Sequence, residues 1–384
     1  MPEQRALKIG IACYPSVGGS GVLASVLGEE LARRGHEVHF ISYERPFHLP
    51  ADTPRIHFHR VHVNDYSLFR YPDYTIPLSV AMANVSRDHN LDILHVHYAV
   101  PHATAAILAQ SMLPPHSRPR VVTTVHGTDI MFLGSDPNYA PAIQHALRQS
   151  DAVTAVSAFL ERETRQRFDL DKPIDIIHNF TSPYQPKRTR SDVRHELGIR
   201  DDQTLILHSS NLRPVKRIGL ILEAAARIRP RDSFKLLILA GDDFTPFQAE
   251  VRRLDLNDRI IVREKPGHVE DYLQAADLGL FASETESFCL SILELMTFGC
   301  PSVATRVGGI PELVDDTRTG LLTPSDDPAA LARAVETLIA DPAARIAMGQ
   351  AAKKSATERF SADVIVPRYE ALYHRVCEVG PASS

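Results

Sequence analysis

The sequence has few cysteines and no long apolar run, and both absences narrow the class of protein. Its four cysteines, Cys13, Cys289, Cys300 and Cys377, are scattered and form no Cys-x-x-Cys pair. This pattern favours reduced thiols over a disulfide framework or a zinc site. No segment approaches 18 consecutive apolar residues, and the first residues lack the apolar core of a signal peptide. We therefore expect a cytoplasmic protein without a membrane-spanning helix.

A large excess of one charge is also missing. The formal net charge is −5, which gives no general attraction to nucleic acid or to an anionic membrane. The chain has 384 residues, of which 44% are hydrophobic and 23% charged. This composition is typical of globular proteins, and the length fits two domains of ordinary size.

The N-terminal half opens with a strand, a glycine-rich turn and a helix. An apolar run at residues 7–13 precedes the turn, and an amphipathic helix to about Arg34 leads to a second strand at residues 36–42. This order predicts a βαβ unit, although the turn lacks the GxGxxG pattern of dinucleotide-binding proteins. Gly18 and Gly19 either allow the backbone to approach an anionic ligand or simply form a tight turn.

Polar residues stand at the ends of several predicted strands in this half. They are Tyr98, Thr124, His126 and Ser157. Ligands of doubly wound sheets bind beyond the carboxyl ends of the strands. We therefore expect these side chains to converge with the glycine-rich turn on one site, although a single histidine at a strand end is commonly structural.

Histidines are frequent in the same half and raise the question of a metal site. They include His57, His59, His62, His95, His97 and His102. The alternation of His57 and His59 places both imidazoles on one face of a strand. No carboxylate or cysteine accompanies them at a recognisable spacing, so the pattern favours a polar strand face and predicts no metal.

A Pro-rich, basic segment at residues 181–190 predicts a linker. Strands and helices alternate again after it, which predicts two Rossmann-like α/β domains that face each other across a cleft. The last helix carries Tyr369 and Tyr373, which we expect to be exposed on the helix and available to pack on the first domain. The predicted domains are residues 1–182, joined by the last helix at 361–384, and residues 183–360.

The most informative stretch of the second half contains two glutamates, Glu286 and Glu294. Ser287 is a candidate N-cap for a helix that continues past Glu294, with an apolar stripe on one face. Eight helical steps rotate about 80° and rise about 12 Å, so the carboxylates lie on one side at two heights. Either both are surface glutamates, or they bind two parts of one long ligand whose phosphate meets the amides of Ser287 to Leu290.

Three cations follow the first strand of the second half. Arg213, Lys216 and Arg217 precede a helix, and they form either a solvated basic patch or the partner of an anion. Facing the helix-start amides, they would neutralise a diphosphate without a metal ion.

Several segments together resemble a known family. The segment Glu286 to Glu294 is similar to the two-glutamate motif of retaining glycosyltransferases of the GT-B fold, family 4, and residues 308–312 and 319–322 are further signatures of it. Residues 13–21, 95–102 and 126–130 resemble the members that transfer GlcNAc from UDP-GlcNAc to the hydroxyl of L-malate with retention, which begins bacillithiol biosynthesis. The resemblance covers essentially the whole chain and implies no cofactor, no required metal and a homodimer.

The resemblance assigns the donor mainly to the second half. Glu286 would bind hydroxyls of the donor sugar, Glu294 those of the ribose, and Lys216 the diphosphate. The family's usual arginine five residues before that lysine is Asn211 here, so Arg213 and Arg217 compete for the role of second cation. The other implied donor-binding residues are Gly18 and Gly19 at the diphosphate, Gly267, His268 and Val269 at the uracil, and Ser287, Phe288, Cys289 and Leu290 at the helix start.

The resemblance assigns the acceptor to the first half. His126 matches the histidine near the reacting centre, so the implied catalytic residues are His126, Lys216 and Glu286. Ser20, Tyr98 and Thr124 would contact malate, with Ser157 in the same group of strand-end residues.

No carboxylate stands out as a covalent nucleophile, which favours a front-face reaction in which the leaving phosphate takes the proton of the acceptor hydroxyl.

Within the class of glycosyltransferases, the alternative is a family 4 enzyme with a lipid or polysaccharide acceptor. A lipid acceptor favours an amphipathic, basic surface for membrane binding, and the aromatic and basic stretch at residues 66–71 is too short for one. Outside that class, the alternatives are a UDP-GlcNAc epimerase and a sugar-nucleotide sensor.

Overall fold

The computed structural model describes residues 5–15, 19–46, 49, 53–63, 73–182 and 184–378. The chain forms two compact units. Unit 1 comprises Met1–Asn179 and Ala362–Ser384, and unit 2 comprises Phe180–Ser361. Each unit has its own parallel sheet and its own core, so each is described separately.

The secondary structure alternates between strands and helices through most of both units. The strands are β1 (Lys8–Ala12), β2 (Glu37–Ser42), β3 (Ile56–Arg60), β4 (Ile93–His97), β5 (Arg120–Val125), β6 (Ala152–Ala155), β7 (Ile174–Ile176), β8 (Thr204–Ser210), β9 (Phe234–Ala240), β10 (Ile260–Glu264), β11 (Leu278–Phe281), β12 (Ser302–Thr305) and β13 (Gly320–Thr323). The helices are α1 (Ser20–Arg33), α2 (Thr75–His89), α3 (Thr104–Ser111), α4 (Ala140–Gln149), α5 (Ala158–Arg167), α6 (Arg190–Glu196), α7 (Ile218–Arg227), α8 (Gln248–Arg253), α9 (Val269–Ala275), α10 (Leu290–Thr297), α11 (Ile310–Leu313), α12 (Pro328–Ala340), α13 (Pro342–Phe360) and α14 (Ala362–Glu378).

Both sheets are parallel and doubly wound. The strand order is β3-β2-β1-β4-β5-β6-β7 in unit 1 and β10-β9-β8-β11-β12-β13 in unit 2. The central strands are almost continuously apolar or buried because helices cover both faces of such a sheet. The order changes direction beside β1 and β4 in unit 1 and beside β8 and β11 in unit 2, which are the switch points where α/β sheets bind ligands.

Helix α14 belongs to unit 1, and its aromatic residues are not exposed as predicted. Tyr369 and Tyr373 are 1% and 0% exposed. The Tyr373 hydroxyl lies 2.7 Å from Nδ1 of His95 on β4, so the helix completes the core of unit 1 under the central strands.

The segment predicted as a linker is instead fixed to unit 2. The backbone N–H groups of Lys187 and Arg188 donate to the Asp271 carboxylate at 2.7 and 3.1 Å, and the Arg190 guanidinium donates to the Ala276 carbonyl at 2.9 Å. This polar, proline-rich segment is therefore packed on unit 2, because the Asp271 side chain and the Ala276 backbone carbonyl supply its hydrogen-bond partners.

In the part of the chain that the structure describes, no helix is long and apolar enough to cross a bilayer.

Candidate active site

The loop after β11 holds Glu286, and the helix that follows begins later than predicted. Helix α10 begins at Leu290, and Cys289 precedes it in the left-handed region at φ 74° with no side-chain cap. Ser287 is therefore not the N-cap, and Glu286 lies in the loop, so the helical rotation expected between Glu286 and Glu294 does not apply. The left-handed residue Cys289 delays the start of the helix, while the apolar stripe at Ile292, Leu295 and Met296 lies within α10 as predicted.

Glu286 is held by two side chains of unit 2. Its carboxylate forms an ion pair with the Lys216 ammonium and accepts a hydrogen bond from the Ser283 hydroxyl at 2.9 Å. Burial on its own would lower the pKa of Lys216, but the negative charge of Glu286, its hydrogen bond and the nearby Cys289 together outweigh burial and leave that pKa above its usual value. Lys216 is therefore a fixed positive charge at neutral pH.

The sheet order explains why these residues meet across 70 positions of sequence. Lys216 ends a short 3₁₀ turn after β8, and Glu286 follows β11, which is the neighbour of β8 in the sheet. The backbone N–H of Glu284 donates to the Val215 carbonyl at 2.9 Å, which ties the two loops together. The site is thus built at the carboxyl ends of adjacent parallel strands, as predicted for this fold.

The glycine pair after β12 supports the same loop from the other side. The Gly309 N–H donates to the Glu286 carbonyl at 2.8 Å, and Gly308 adopts φ +57°. A Cβ atom at Gly308 would lie 2.0 Å from the Glu286 carbonyl oxygen. Only glycine fits this close approach, so the Gly308–Gly309 pair sets the position of the Glu286 backbone.

The two candidate second cations differ in their surroundings. Arg217 is ion-paired with Asp326 and takes the left-handed conformation before α7. Arg213 is exposed, close enough to Lys216 for its charge to lower that residue's pKa, and among the described residues no carboxylate lies within ion-pair distance of it. Asn211 is also exposed at the end of β8.

Glu294 lies inside α10 with a hydrogen-bond partner that the sequence did not indicate. The Tyr184 hydroxyl donates to its carboxylate at 3.2 Å. Burial raises the pKa of Glu294 to about 7, the hydrogen bond from Tyr184 lowers it and the charge of Glu270 raises it. This carboxyl therefore titrates near neutral pH.

The segment predicted to meet a base lies at the start of α9. Helix α9 begins at Val269, and His268 precedes it. Gly267 is exposed, and a Cβ atom there would meet no other atom within 4 Å. Glu270 on the first turn of α9 influences both Tyr184 and Glu294 electrostatically. Unit 2 thus places the three predicted residues directly before Glu270, whose charge acts on the second glutamate.

In unit 1, His126 follows β5 and pairs with a second imidazole. Its Nε2 lies 2.9 Å from Nδ1 of His97, and its backbone N–H donates to Asp129 at 3.2 Å. Asp129 also accepts from the N–H groups of Gly127 and Ala99 at 3.0 Å each. Burial lowers the pKa of His126 to about 3, so its imidazole is neutral at pH 7.

The other predicted acceptor residues divide into two groups. The hydroxyls of Ser20, at the start of α1, and Tyr98, after β4, lie 2.5 Å apart, and Tyr98 is partly exposed with φ 80°. Thr124 and Ser157 are fully buried.

The two buried hydroxyls have structural partners. Thr124 bonds to His95 at 2.7 Å and to Thr154 at 2.6 Å, whereas Ser157 caps α5 by accepting from the Leu160 N–H at 3.1 Å. Gly18 lies outside the described residues, and Gly19 has φ +59°.

The comparisons with known proteins agree with this architecture. Residues 17–183 match the model described as Glycosyltransferase Family 4, and residues 189–355 match Glycosyl transferases group 1. The chain is 43% identical to the N-acetyl-alpha-D-glucosaminyl L-malate synthase of Bacillus anthracis over 372 residues, which cover 96% of this chain and 97% of that protein.

The chain is a family 4 glycosyltransferase. Its fold is GT-B, as solved structures of other glycosyltransferases show. The sucrose-phosphate synthase of Thermosynechococcus elongatus matches with a TM-score of 0.79 at 20% identity, over 97% of this chain and 100% of that one. Anabaena HepE, solved in complex with UDP and glucose, matches with a TM-score of 0.78 at 18% identity, over 96% of this chain and 99% of that one.

Sequence reasoning missed several residues that position the glycosyltransferase's candidate site. Ser283 and Tyr184 hold the two glutamates, and Asp129 holds the loop of His126. Asp129 stands in the His-Gly-Thr-Asp segment that carried the family resemblance, so a turn-forming role for its side chain was accessible from the sequence. Tyr184 carried no such signal, because it lies in the polar segment before α6.

Proposed function

We propose that this glycosyltransferase moves GlcNAc from UDP-GlcNAc to the hydroxyl of L-malate with retention, as the first step of bacillithiol biosynthesis. The observation that carries the proposal is the 43% identity to the L-malate synthase, which extends over 96% of the chain and therefore through both units. The site geometry supports a nucleotide-sugar donor in unit 2 and a small acceptor in unit 1.

In unit 2, Lys216 is assigned to the diphosphate of the donor and Glu286 to its sugar. The two residues form an ion pair, so the two assigned positions are adjacent. Lys216 supplies a positive charge whose protonation is secured by Glu286. The Ser283 hydroxyl and Lys216 occupy one oxygen of the Glu286 carboxylate, which leaves its other oxygen to accept from sugar hydroxyls. Positive charge fixed before the reaction stabilises the leaving phosphate, so the chemistry proceeds without a metal ion.

Arg213 is our choice for the second phosphate cation. It lies near Lys216 and is exposed, whereas Arg217 is already ion-paired with Asp326. We expect Arg213→Ala to weaken UDP binding about 10- to 100-fold, because a charge-assisted hydrogen bond contributes about 1.5–3 kcal/mol. Arg217→Ala, the matched control, changes it less than about threefold. Calorimetric titration with UDP distinguishes them, and the reverse order would assign the role to Arg217.

The other end of the donor is assigned to Glu294 and the start of α9. Glu294 accepts hydrogen bonds from the ribose hydroxyls, and residues 267–269 meet the uracil. Tyr184 orients the Glu294 carboxylate through one oxygen, so the second oxygen remains for the ribose.

This arrangement predicts that UDP binding depends on pH. The pKa of Glu294 is raised to about 7, whereas hydroxyl donors favour the ionised form, so binding releases a proton below that pKa. UDP affinity should rise about tenfold between pH 6 and pH 8 through this group. Calorimetry on the parent protein and on Glu294→Gln isolates the effect, since the UDP phosphate titrates equally with both. Identical pH profiles would contradict the role of Glu294.

In unit 1, the acceptor meets a neutral, hydrogen-bonded surface. His126 is held by His97 and by the turn at Asp129, and as a neutral imidazole it offers a hydrogen bond without a charge. Ser20 and Tyr98 present a hydroxyl pair beside the start of α1, where helix amides favour the carboxylates of a dicarboxylic acid. Thr124 and Ser157 contribute indirectly, through the framework behind this surface.

The mechanism we propose is a front-face displacement. The acceptor hydroxyl attacks the anomeric carbon, its proton passes to the leaving phosphate of UDP, and Lys216 with Arg213 stabilises the charge that develops there. Glu286 is engaged by Lys216 and Ser283 and serves in binding. A glycosyl adduct on the protein, detected by mass spectrometry during turnover, would overturn this mechanism in favour of a double displacement.

The experiment that tests the function is UDP release from UDP-GlcNAc in EDTA, with L-malate, with D-malate and without acceptor. We expect release that requires L-malate. Release without malate would indicate the epimerase alternative, and no release would indicate another donor, another acceptor such as a lipid or polysaccharide, or the sensor alternative. Light scattering on the same protein tests the proposed homodimer.

A further inference from the structure

A second group of polar side chains lies in unit 1, on the edge of the sheet formed by β2 and β3. We call it the edge cluster, and it consists of Glu37, His39, His57, His59 and His89. In the parallel register His39 lies opposite His57, and Ile41 lies opposite His59. Alternate residues of a strand share one face, so the register brings Glu37 and His39 onto the face where His57 and His59 were predicted together.

Three ligand atoms of the edge cluster have the spacing of a metal site. Oε1 of Glu37 lies 3.3 Å from Nε2 of His39 and 3.3 Å from Nε2 of His57, and the three atoms lie within 4.8 Å of one another. A tetrahedral zinc ion with bonds of about 2.0–2.1 Å sets neighbouring ligand atoms about 3.3–3.4 Å apart. The two contacts with Glu37 already have this length.

His39 is oriented as a ligand. Its Nδ1 lies 3.0 Å from Nε2 of His59, whereas its Nε2 is buried and has no hydrogen-bond partner in the described part of the chain. When Nδ1–H donates to His59, Nε2 keeps a lone pair 3.3 Å from Oε1 of Glu37, and the His57 ring stacks on the His39 ring with centroids 4.7 Å apart. A ligating histidine commonly uses its second nitrogen in this way.

The neighbouring groups leave this position available to a cation. Lys8 is the nearby positive charge, and its ammonium lies 3.8 Å from Oε2 of Glu37 and donates to the His89 carbonyl at 3.1 Å. It therefore engages the carboxylate oxygen that the histidines do not face. The His89 ring packs 4.5 Å from the His39 ring and closes the cluster from the end of α2.

The edge cluster is separate from the candidate acceptor residues. Glu37 and His57 stand at the starts of β2 and β3, whereas Tyr98 and His126 follow the ends of β4 and β5. In a parallel sheet all strands run in one direction, so their amino ends and their carboxyl ends lie on opposite sides of the sheet. An ion at the edge cluster would therefore stabilise the edge of unit 1 without entering the transfer reaction.

We propose that Glu37, His39 and His57 bind a divalent transition-metal ion of the zinc type, with water as the fourth ligand. Nitrogen and carboxylate ligands in a tetrahedral arrangement suit zinc among the common biological metals. The ion joins β3, the edge strand, to β2 through side chains.

The test is calorimetric titration of untagged, chelator-treated full-length protein with zinc, supported by the absorption spectrum of bound cobalt. We expect one zinc ion per chain, and affinity about 100-fold or more lower in His57→Ala and in Glu37→Gln, since loss of even an outer partner costs about 10- to 100-fold. His62→Ala removes an exposed histidine outside the edge cluster and should bind zinc as the parent does. His57 is itself exposed, so its replacement is compatible with folding.

Two readouts separate the site from adventitious binding and from the transfer reaction. Zinc should raise the midpoint of thermal unfolding of the parent and of His62→Ala but not of His57→Ala. Absence of stoichiometric zinc binding by the parent would overturn the proposal, and so would a zinc affinity of His57→Ala and Glu37→Gln equal to that of the parent. Neither readout uses glycosyl transfer, so the outcome is independent of the proposed acceptor and donor.

Discussion

Replacing Lys216 with alanine is expected to lower kcat about 100- to 1,000-fold, the loss typical of removing one preorganised group that stabilises developing negative charge. Lys216 is the cation that unit 2 fixes beside Glu286, and the leaving UDP gains its charge in the transition state. The measurement is steady-state UDP release at saturating UDP-GlcNAc and acceptor. The UDP dissociation constant, measured separately, divides the loss between binding and chemistry.

The Lys216 variant needs a control for stability, because it leaves Glu286 without its cation. The Lys216 side chain is 22% exposed and that of Glu286 is 9% exposed, so solvent offsets part of this cost. Arg217→Ala removes a neighbouring positive charge and should keep kcat within about threefold. A folded Lys216→Ala protein with kcat within tenfold of the parent would contradict the assignment of the diphosphate to Lys216.

Replacing Gly308 with alanine should destabilise unit 2 by about 2–5 kcal/mol and also impair transfer. The left-handed conformation costs a non-glycine residue about 1–2 kcal/mol, and displacing a packed backbone adds about 1–3 kcal/mol. The added Cβ would lie 2.0 Å from the Glu286 carbonyl oxygen, so the loop that carries Glu286 must move. Urea unfolding followed by far-ultraviolet circular dichroism measures the stability.

Gly219 provides the matched control in the same unit. It lies in α7, and a Cβ there would meet nothing within 4 Å. Gly219→Ala should leave transfer unchanged and alter stability by less than about 1 kcal/mol, in the stabilising direction, because alanine favours helix. Equal stability of the Gly308 and Gly219 variants would show that the loop tolerates the displacement and would refute the role given to Gly308.

The sequence predicted the fold because the physical signals are repetitive. Apolar runs bounded by glycine and polar residues recur along both units, and the strands predicted on either side of the glycine-rich turn are present as β1 and β2. The sheet order then explains why Lys216 and Glu286 meet, since each follows one of two adjacent strands. The sequence offered a site near the start of the helix that follows Glu286 as one of two alternatives for Lys216 and did not predict its ion pair with Glu286, and the roles of both residues in binding remain predictions.

What the sequence could not predict depends on conformation or on distant partners. The start of α10 was placed too early because a left-handed residue at Cys289 leaves no mark in the apolar pattern. Tyr373 was expected to be exposed because its partner, His95, lies 278 positions away. The edge cluster was interpreted without Glu37 and His39, since the strand register that adds them is a tertiary property.

The most direct test of the account is the identity of the product formed from UDP-GlcNAc and L-malate in EDTA. We expect nuclear magnetic resonance to show GlcNAc joined to the malate hydroxyl, with the small coupling at the anomeric proton that identifies an α linkage. The same sample should contain UDP in equal amount. A β-linked product would contradict the retaining front-face mechanism, and free sugar with no malate adduct would contradict the proposed transfer.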